Sequence, residues 1–181
     1  MTPRTHDGPP DRAPWLRRFL RDLGCSFLAG VTALLFLFQP FKVEGTSMMP
    51  GLRDEERILV NKIVYDFSLV QRGDLIVFRS PLDPGKTFIK RVVGLPGESI
   101  AVAGGLVWIN GHPLRESYLY HELRGMEPFG PLSVTPQCYF VLGDHRSVSS
   151  DSRAWGLVPE RNIYGKAVLK YWPPERLALL D

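Results

Sequence analysis

The chain has 181 residues, 44% of them hydrophobic, and its 22 basic and 19 acidic side chains leave a net charge of +3. That length accommodates one ordinary domain plus an anchor. The excess charge sits in residues 1–22, which hold five Arg against three Asp, so the rest is nearly neutral and lacks the basic stripe that a nucleic-acid-binding domain needs.

Residues 1–18 are rich in Pro and scattered charge and poor in apolar side chains, so a disordered N-terminus is expected there. Leu23 to Phe38 then runs without a charge. Sixteen helical residues span about 24 Å, short of the roughly 30 Å of a hydrocarbon core. Extending the segment to residues 19–41, with Arg21 and Asp22 snorkelling, closes the gap. A transmembrane anchor over 19–41 is the reading adopted. A cleaved secretory signal and a buried helix of a soluble protein are the alternatives. The bulky exit Phe36-Leu37-Phe38-Gln39-Pro40-Phe41 lacks the small residues of a cleavage site, and the Arg-rich flank is unlike a core helix. Arg17, Arg18 and Arg21 precede the segment and Lys42 follows it almost alone, which places the N-terminus in the cytoplasm and residues from 42 onward outside. Cys25 in this segment and Cys138 far downstream should not meet, and neither belongs to a CxxC or Cys/His cluster. The four His are scattered without ligand spacing, so no metal or other cofactor is expected.

Beyond the anchor, residues 42–181 show short β-rich runs between Pro and Gly turn signals: 57–60, 75–78, 88–93, 99–103, 106–109, 139–142 and 167–172. Asn110-Gly111 after Val107-Trp108-Ile109 signals a two-residue hairpin turn. The fold class expected is all-β, an antiparallel sheet domain behind one N-terminal transmembrane helix. Residues 112–137, polar and weakly patterned, are expected to form an extended loop, and 175–181 a short helix or a tail.

Three blocks carry chemistry. The first is Gly45-Thr46-Ser47-Met48-Met49-Pro50-Gly51-Leu52. The second is Phe88-Ile89-Lys90-Arg91-Val92-Val93-Gly94-Leu95-Pro96-Gly97. The third runs from Gly143-Asp144-His145-Arg146 through Ser149 to Asp151-Ser152-Arg153. A serine hydroxyl is a weak nucleophile until a neighbour takes its proton. A lysine can do so if it is neutral, which takes about 4.6 kcal/mol of differential desolvation to bring its pKa near 7. On a strand, Phe88, Lys90 and Val92 share a face, so Lys90 has apolar neighbours on both sides. Were Lys90 instead a rim residue, Arg91 would be its solvated neighbour. The Ser, His and Asp of the third block are too close in sequence for a hydrolase triad, whose members meet from separate elements, and a hydrogen-bonded loop is expected.

In this order and spacing the blocks resemble those of the bacterial type I signal peptidases, a serine/lysine peptidase family. The resemblance implies that Ser47 is the nucleophile and Lys90 the general base, with the Ser47 amide meeting the oxyanion. Some relatives have a serine hydroxyl where this chain has Gly45, as in the Gram-positive pattern. It further implies that Ser149 orients the Lys90 amine, that Asp151 pairs with Arg153, that Asp144 and Arg146 hold the loop similarly, and that Gly143 is kept small beside the lysine. Ser147-Val148 replaces the usual Asp-Asn, and Gly51 the usual Thr. Phe41, Val43, Leu52 and Ile89, bordered by Met48 and Phe88, would line shallow apolar pockets for the small residues of an Ala-x-Ala site. The implied function is removal of signal peptides from exported preproteins at the outer face of the cytoplasmic membrane, with the lipid bilayer and the export translocon as partners. Rival readings are a specialised relative with one dedicated substrate, and a non-catalytic membrane-tethered module that binds extended peptides.

Overall fold

The computed structural model describes residues 14–180, and the chain divides into two compact units at Leu37/Phe38. The first is a single helix, α1 (Pro14–Leu37). Its stretch Trp15–Leu37, which contains an 18-residue window of mean hydropathy 1.6, is long and apolar enough to cross a membrane. Its large side chains are exposed, Phe27 and Phe36 among them, unlike those of a soluble protein's core helix. The helix corrects two boundaries. Residues 14–18, expected to be disordered, are helical, while residues 1–13 lie outside the described residues. Helix also ends at Leu37 rather than reaching Phe41, because Phe38–Lys42 is strand β1. Pro40 has no amide to donate to a helix, and Phe41 packs against a cluster of buried side chains in the second unit.

The second unit is mostly antiparallel sheet. Following β1 come β2 (Arg57–Asn61), a single helical turn α2 (Val64–Phe67), β3 (Leu75–Arg79), β4 (Thr87–Gly94), β5 (Ser99–Ala103), β6 (Leu106–Ile109) and β7 (His112–Pro113). Next are β8 (Phe129–Ser133), β9 (Cys138–Leu142), the short helix α3 (Ser152–Trp155), β10 (Val158–Pro159), β11 (Ile163–Trp172) and β12 (Ala178–Leu179). The larger sheet runs β1-β2-β11-β3-β4-β9-β10, with β12 added alongside β11. The smaller runs β7-β6-β5-β8. Asn110 and Gly111 both have positive φ and join β6 to β7, as the two-residue turn signal predicts. Gly104-Gly105 does the same between β5 and β6, a turn not expected from the sequence.

Residues 112–137 are not one extended loop. Phe129–Ser133 pairs with β5 and completes the smaller sheet. The tail beyond 175 holds a 3₁₀ turn at Pro174–Arg176 and the strand β12.

Three clusters make the core. β3 is buried along Leu75–Phe78 because Leu75 and Val77 face the first cluster while Ile76 and Phe78 face the second. That is why it reads as an unbroken apolar run rather than an alternating one. The third cluster packs Val93, Phe140 and Leu142 of the larger sheet against Ile100, Val102 and Val107 of the smaller. β4 touches all three, through Ile89, through Phe88 and Val92, and through Val93 after a bulge.

Candidate active site

Ser47 sits at the tip of the loop between β1 and β2. The loop is closed at its base by backbone bonds from Val43 N–H to Glu56 C=O (2.7 Å) and from Glu55 N–H to Val43 C=O (2.9 Å). Higher up, the Gly45 N–H donates to Asp54 Oδ1 at 2.8 Å. Gly45 has φ +85°, a left-handed conformation that glycine adopts without strain. Met48 and Leu52, both 1% exposed, anchor the loop in the first cluster. The half-buried serine is thus carried on a turn with apolar roots.

Lys90 is on β4, opposite Ile76 of β3, and is 3% exposed. Its Nζ and Ser47 Oγ lie 2.6 Å apart, in hydrogen-bond contact across 43 residues of sequence. The Phe88 ring centroid is 5.9 Å from Nζ. Burial lowers the amine to a pKa of about 8, against the opposing pull of the Asp151 and Asp144 carboxylates.

The third block wraps the pair from the other side. The His145 N–H donates to Ser47 C=O at 2.9 Å. Gly143 must be glycine, since a Cβ there would stand 2.2 Å from Ser149 Oγ and 2.6 Å from Ser47 O. Asp151, fully buried, accepts from the Gly143 N–H at 3.1 Å and from Arg153 Nε and Nη2 at 2.8 and 2.9 Å. It also caps α3 through the Arg153 N–H. Trp155 of α3 then stacks on Phe88 at 6.4 Å.

Several sequence expectations need correction here. The Ser149 hydroxyl is buried and makes no hydrogen bond among the described residues, so the expected Ser149–Lys90 contact is not formed. Asp144 and Arg146 also hold the block, but with partners the sequence did not suggest, and Arg146 Nε donates to Gly143 C=O at 3.0 Å within it. Asp144 forms a two-point pair with Arg91 (2.9 and 2.8 Å), and Arg146 pairs with Glu116 across 30 residues. Arg91 is therefore 8% exposed rather than solvated. It also donates to Gly73 C=O and lies 4.1 Å from the centre of the Tyr118 ring. Glu116 and Tyr118 are the site supports that sequence reasoning missed, and no local pattern marks them.

A cleft of about 560 Å³ opens beside Ser47 and Lys90. Phe41, Val43, Phe88 and Ile89 line it, together with Ile58, Val77 and the stretch Gly85–Thr87. Met48 and Leu52, expected at the pocket, are absent from its lining and belong to the packing beneath it. Ile58 and Val77 could have been found from the sequence, because each is an inward-facing residue of a recognised strand.

Residues 16–172 match the family model described as signal peptidase, peptidase S26. Signal peptidase I from Leptolyngbya laminosa is 40% identical over 169 residues, covering 89% of this chain and 82% of that protein. Signal peptidase I from Bacillus caldolyticus is 40% identical over 159 residues, covering 81% and 86%. A crystal structure of a signal peptidase I from Enterococcus faecalis superimposes with a TM-score of 0.50 at 33% identity, covering 56% of this chain and 98% of that one. The fold and these matches define a β-sheet peptidase. The chain belongs to the S26 signal peptidases, the hydrolases that remove signal peptides from exported preproteins.

Proposed function

We propose that this peptidase works by a Ser47/Lys90 dyad and is anchored in the cytoplasmic membrane by α1, with the residues from Phe38 on at the outer face. The observation that carries the dyad is the 2.6 Å approach of a hydroxyl to an amine that is 3% exposed. Ser47 Oγ attacks the scissile carbonyl while Lys90 takes its proton. The resulting ammonium returns a proton to the leaving amine as the peptide C–N bond breaks, leaving an ester on Ser47. Lys90, neutral again, then deprotonates the water that hydrolyses the ester. In this reading the Ser47 N–H, which makes no hydrogen bond among the described residues, meets the oxyanion.

An extended substrate lies in the cleft, where Phe41, Val43, Ile58, Val77 and Ile89 leave room for small side chains. Steric exclusion by these walls accounts for cleavage after Ala-x-Ala-like sites. The export translocon delivers the substrate to the anchored enzyme. Ser47→Ala should abolish cleavage of a preprotein in detergent, and Lys90→Ala should lower it by about 10²-fold or more. Both variants should keep the wild-type β-sheet circular dichroism. Substantial cleavage by folded Ser47→Ala would remove the dyad from consideration. A panel of preproteins separates a general enzyme, which cuts many, from a specialised one, which cuts a single member.

A further inference from the structure

We infer that the C-terminal tail, residues 173–180, is a positioning strap for the nucleophile loop, with Arg176 as its principal contact. The inference rests on Ser47 being the nucleophile. The family match ends at Trp172, so the tail lies beyond what that match assigns. After Trp172 the chain turns back at Pro174–Arg176, and β12 pairs antiparallel with β11, Lys170 opposite Ala178 and Leu169 opposite Leu179. The Leu180 N–H donates to Val168 C=O at 3.0 Å, and the Leu180 side chain packs against the cluster that contains Met48 and Leu52.

From this return the tail reaches the back of the serine loop. Arg176 Nη2 donates to Pro50 C=O at 3.1 Å, and its Nη1 lies 2.6 Å from Glu56 Oε1. Next to it, Lys170 Nζ donates to Gly51 C=O at 2.8 Å and lies 3.5 Å from Glu56 Oε2. Glu56 Oε2 also accepts from the Arg53 N–H at 2.9 Å. Two cations therefore hold the carbonyls at the end of the turn that starts at Ser47, and a carboxylate 3% exposed binds both cations to the loop's far side. Bonds from charged donors to carbonyls are among the stronger neutral–ionic contacts in a protein. Met48 and Leu52 bury the turn's apolar side chains, and Arg176 with Lys170 hold its Pro50 and Gly51 carbonyls from behind. The hydroxyl is then held at its distance from Lys90 before any substrate arrives.

The test is steady-state kinetics on a preprotein, using the full chain in detergent, with Arg176→Gln, Arg176→Lys and Leu180→Ala beside the wild type. Misplacement of a reacting atom by about 1 Å lowers the chemical step by up to about 10²-fold. Arg176→Gln should lower kcat about 10-fold or more, leave KM within about twofold, and keep the pH midpoint of the rising limb, because Lys90's surroundings are untouched. Arg176→Lys, which keeps the ion pair to Glu56, should recover part of kcat. Leu180→Ala should show the same kcat-only loss in milder form, and it decides the matter if Arg176→Gln does not fold. An unchanged kcat in folded Arg176→Gln, or a rise in KM alone, overturns the strap. Activity retained by Ser47→Ala would instead show that the catalytic reading has failed, whatever Arg176 does.

Discussion

In the proposed mechanism Lys90 is the side chain on which the chemistry turns, and its burial fixes the sign of the expected pH dependence. Desolvation lowers its pKa to about 8, so the amine is protonated and unable to accept a proton below that pH. The value of kcat/KM should therefore climb through an apparent pKa near 8, read from a pH–rate profile on a short peptide. A limb near 10 would mean a hydrated amine. Stability follows the same sign. The folded pKa is below the unfolded one, so burying the charged form costs stability below pH 8, and that cost fades as pH rises between about 8 and 10.5. Gly143 is the second decisive position. Gly143→Ala forces a Cβ into Ser149 and into the Ser47 carbonyl. It should cost about 1–3 kcal/mol in chemical denaturation and lower kcat by about 10-fold or more. The meeting of Ser47 and Lys90 was legible in the sequence because each sits in a local block of distinctive composition. Ser149's isolated hydroxyl was not, since the path of a loop decides whether a side chain reaches its neighbour.

Among the elements, the segment between β7 and β8 does more than connect. It brings Glu116 under Arg146 and Tyr118 over Arg91, so the loop bearing Asp144 and Asp151 is backed by a second layer. The Arg146 and Glu116 side chains are 4% and 1% exposed. Removing one partner of such a pair strands a buried charge. Glu116→Gln should destabilise by about 3 kcal/mol, which lowers the melting temperature on the order of 10 °C in a domain of this size. A change of a degree or two would show that the pair is dispensable. The main strands were readable because their apolar runs match buried positions of the sheet. β8 was not, because Phe129-Gly130-Pro131-Leu132-Ser133 pairs on one side only and three of its five residues are exposed. The end of α1 was misjudged for a related reason. Phe38 and Phe41 continue the apolar run, yet they serve a strand, and hydrophobicity by itself does not distinguish the two.

For the molecule as a whole, the helix and the β unit are separate units, and the proposed orientation rests on the charge of α1. Arg17, Arg18 and Arg21 lie in its N-terminal part, and in the proposed topology they stay on the cytoplasmic side. Protease added to intact spheroplasts should digest the β unit, whereas inverted membrane vesicles should protect it. The reverse pattern would invert the topology proposed here. The division into one apolar helix and a β unit was plain in the sequence, from one uncharged stretch followed by turn-punctuated β runs. The clustering of Glu56, Lys170 and Arg176 was not, because it joins positions more than a hundred residues apart.

The cleft beside Ser47 has a further consequence, which concerns timing. Its floor is an amine that solvent barely touches, and its walls are side chains already committed to the sheet. In the proposed reading, a scissile bond reaches Ser47 Oγ along this cleft as extended backbone. On that reading, processing comes before the exported protein's new first residues take up their final shape. A cargo that matures too quickly is then expected to escape cutting however good its cleavage site.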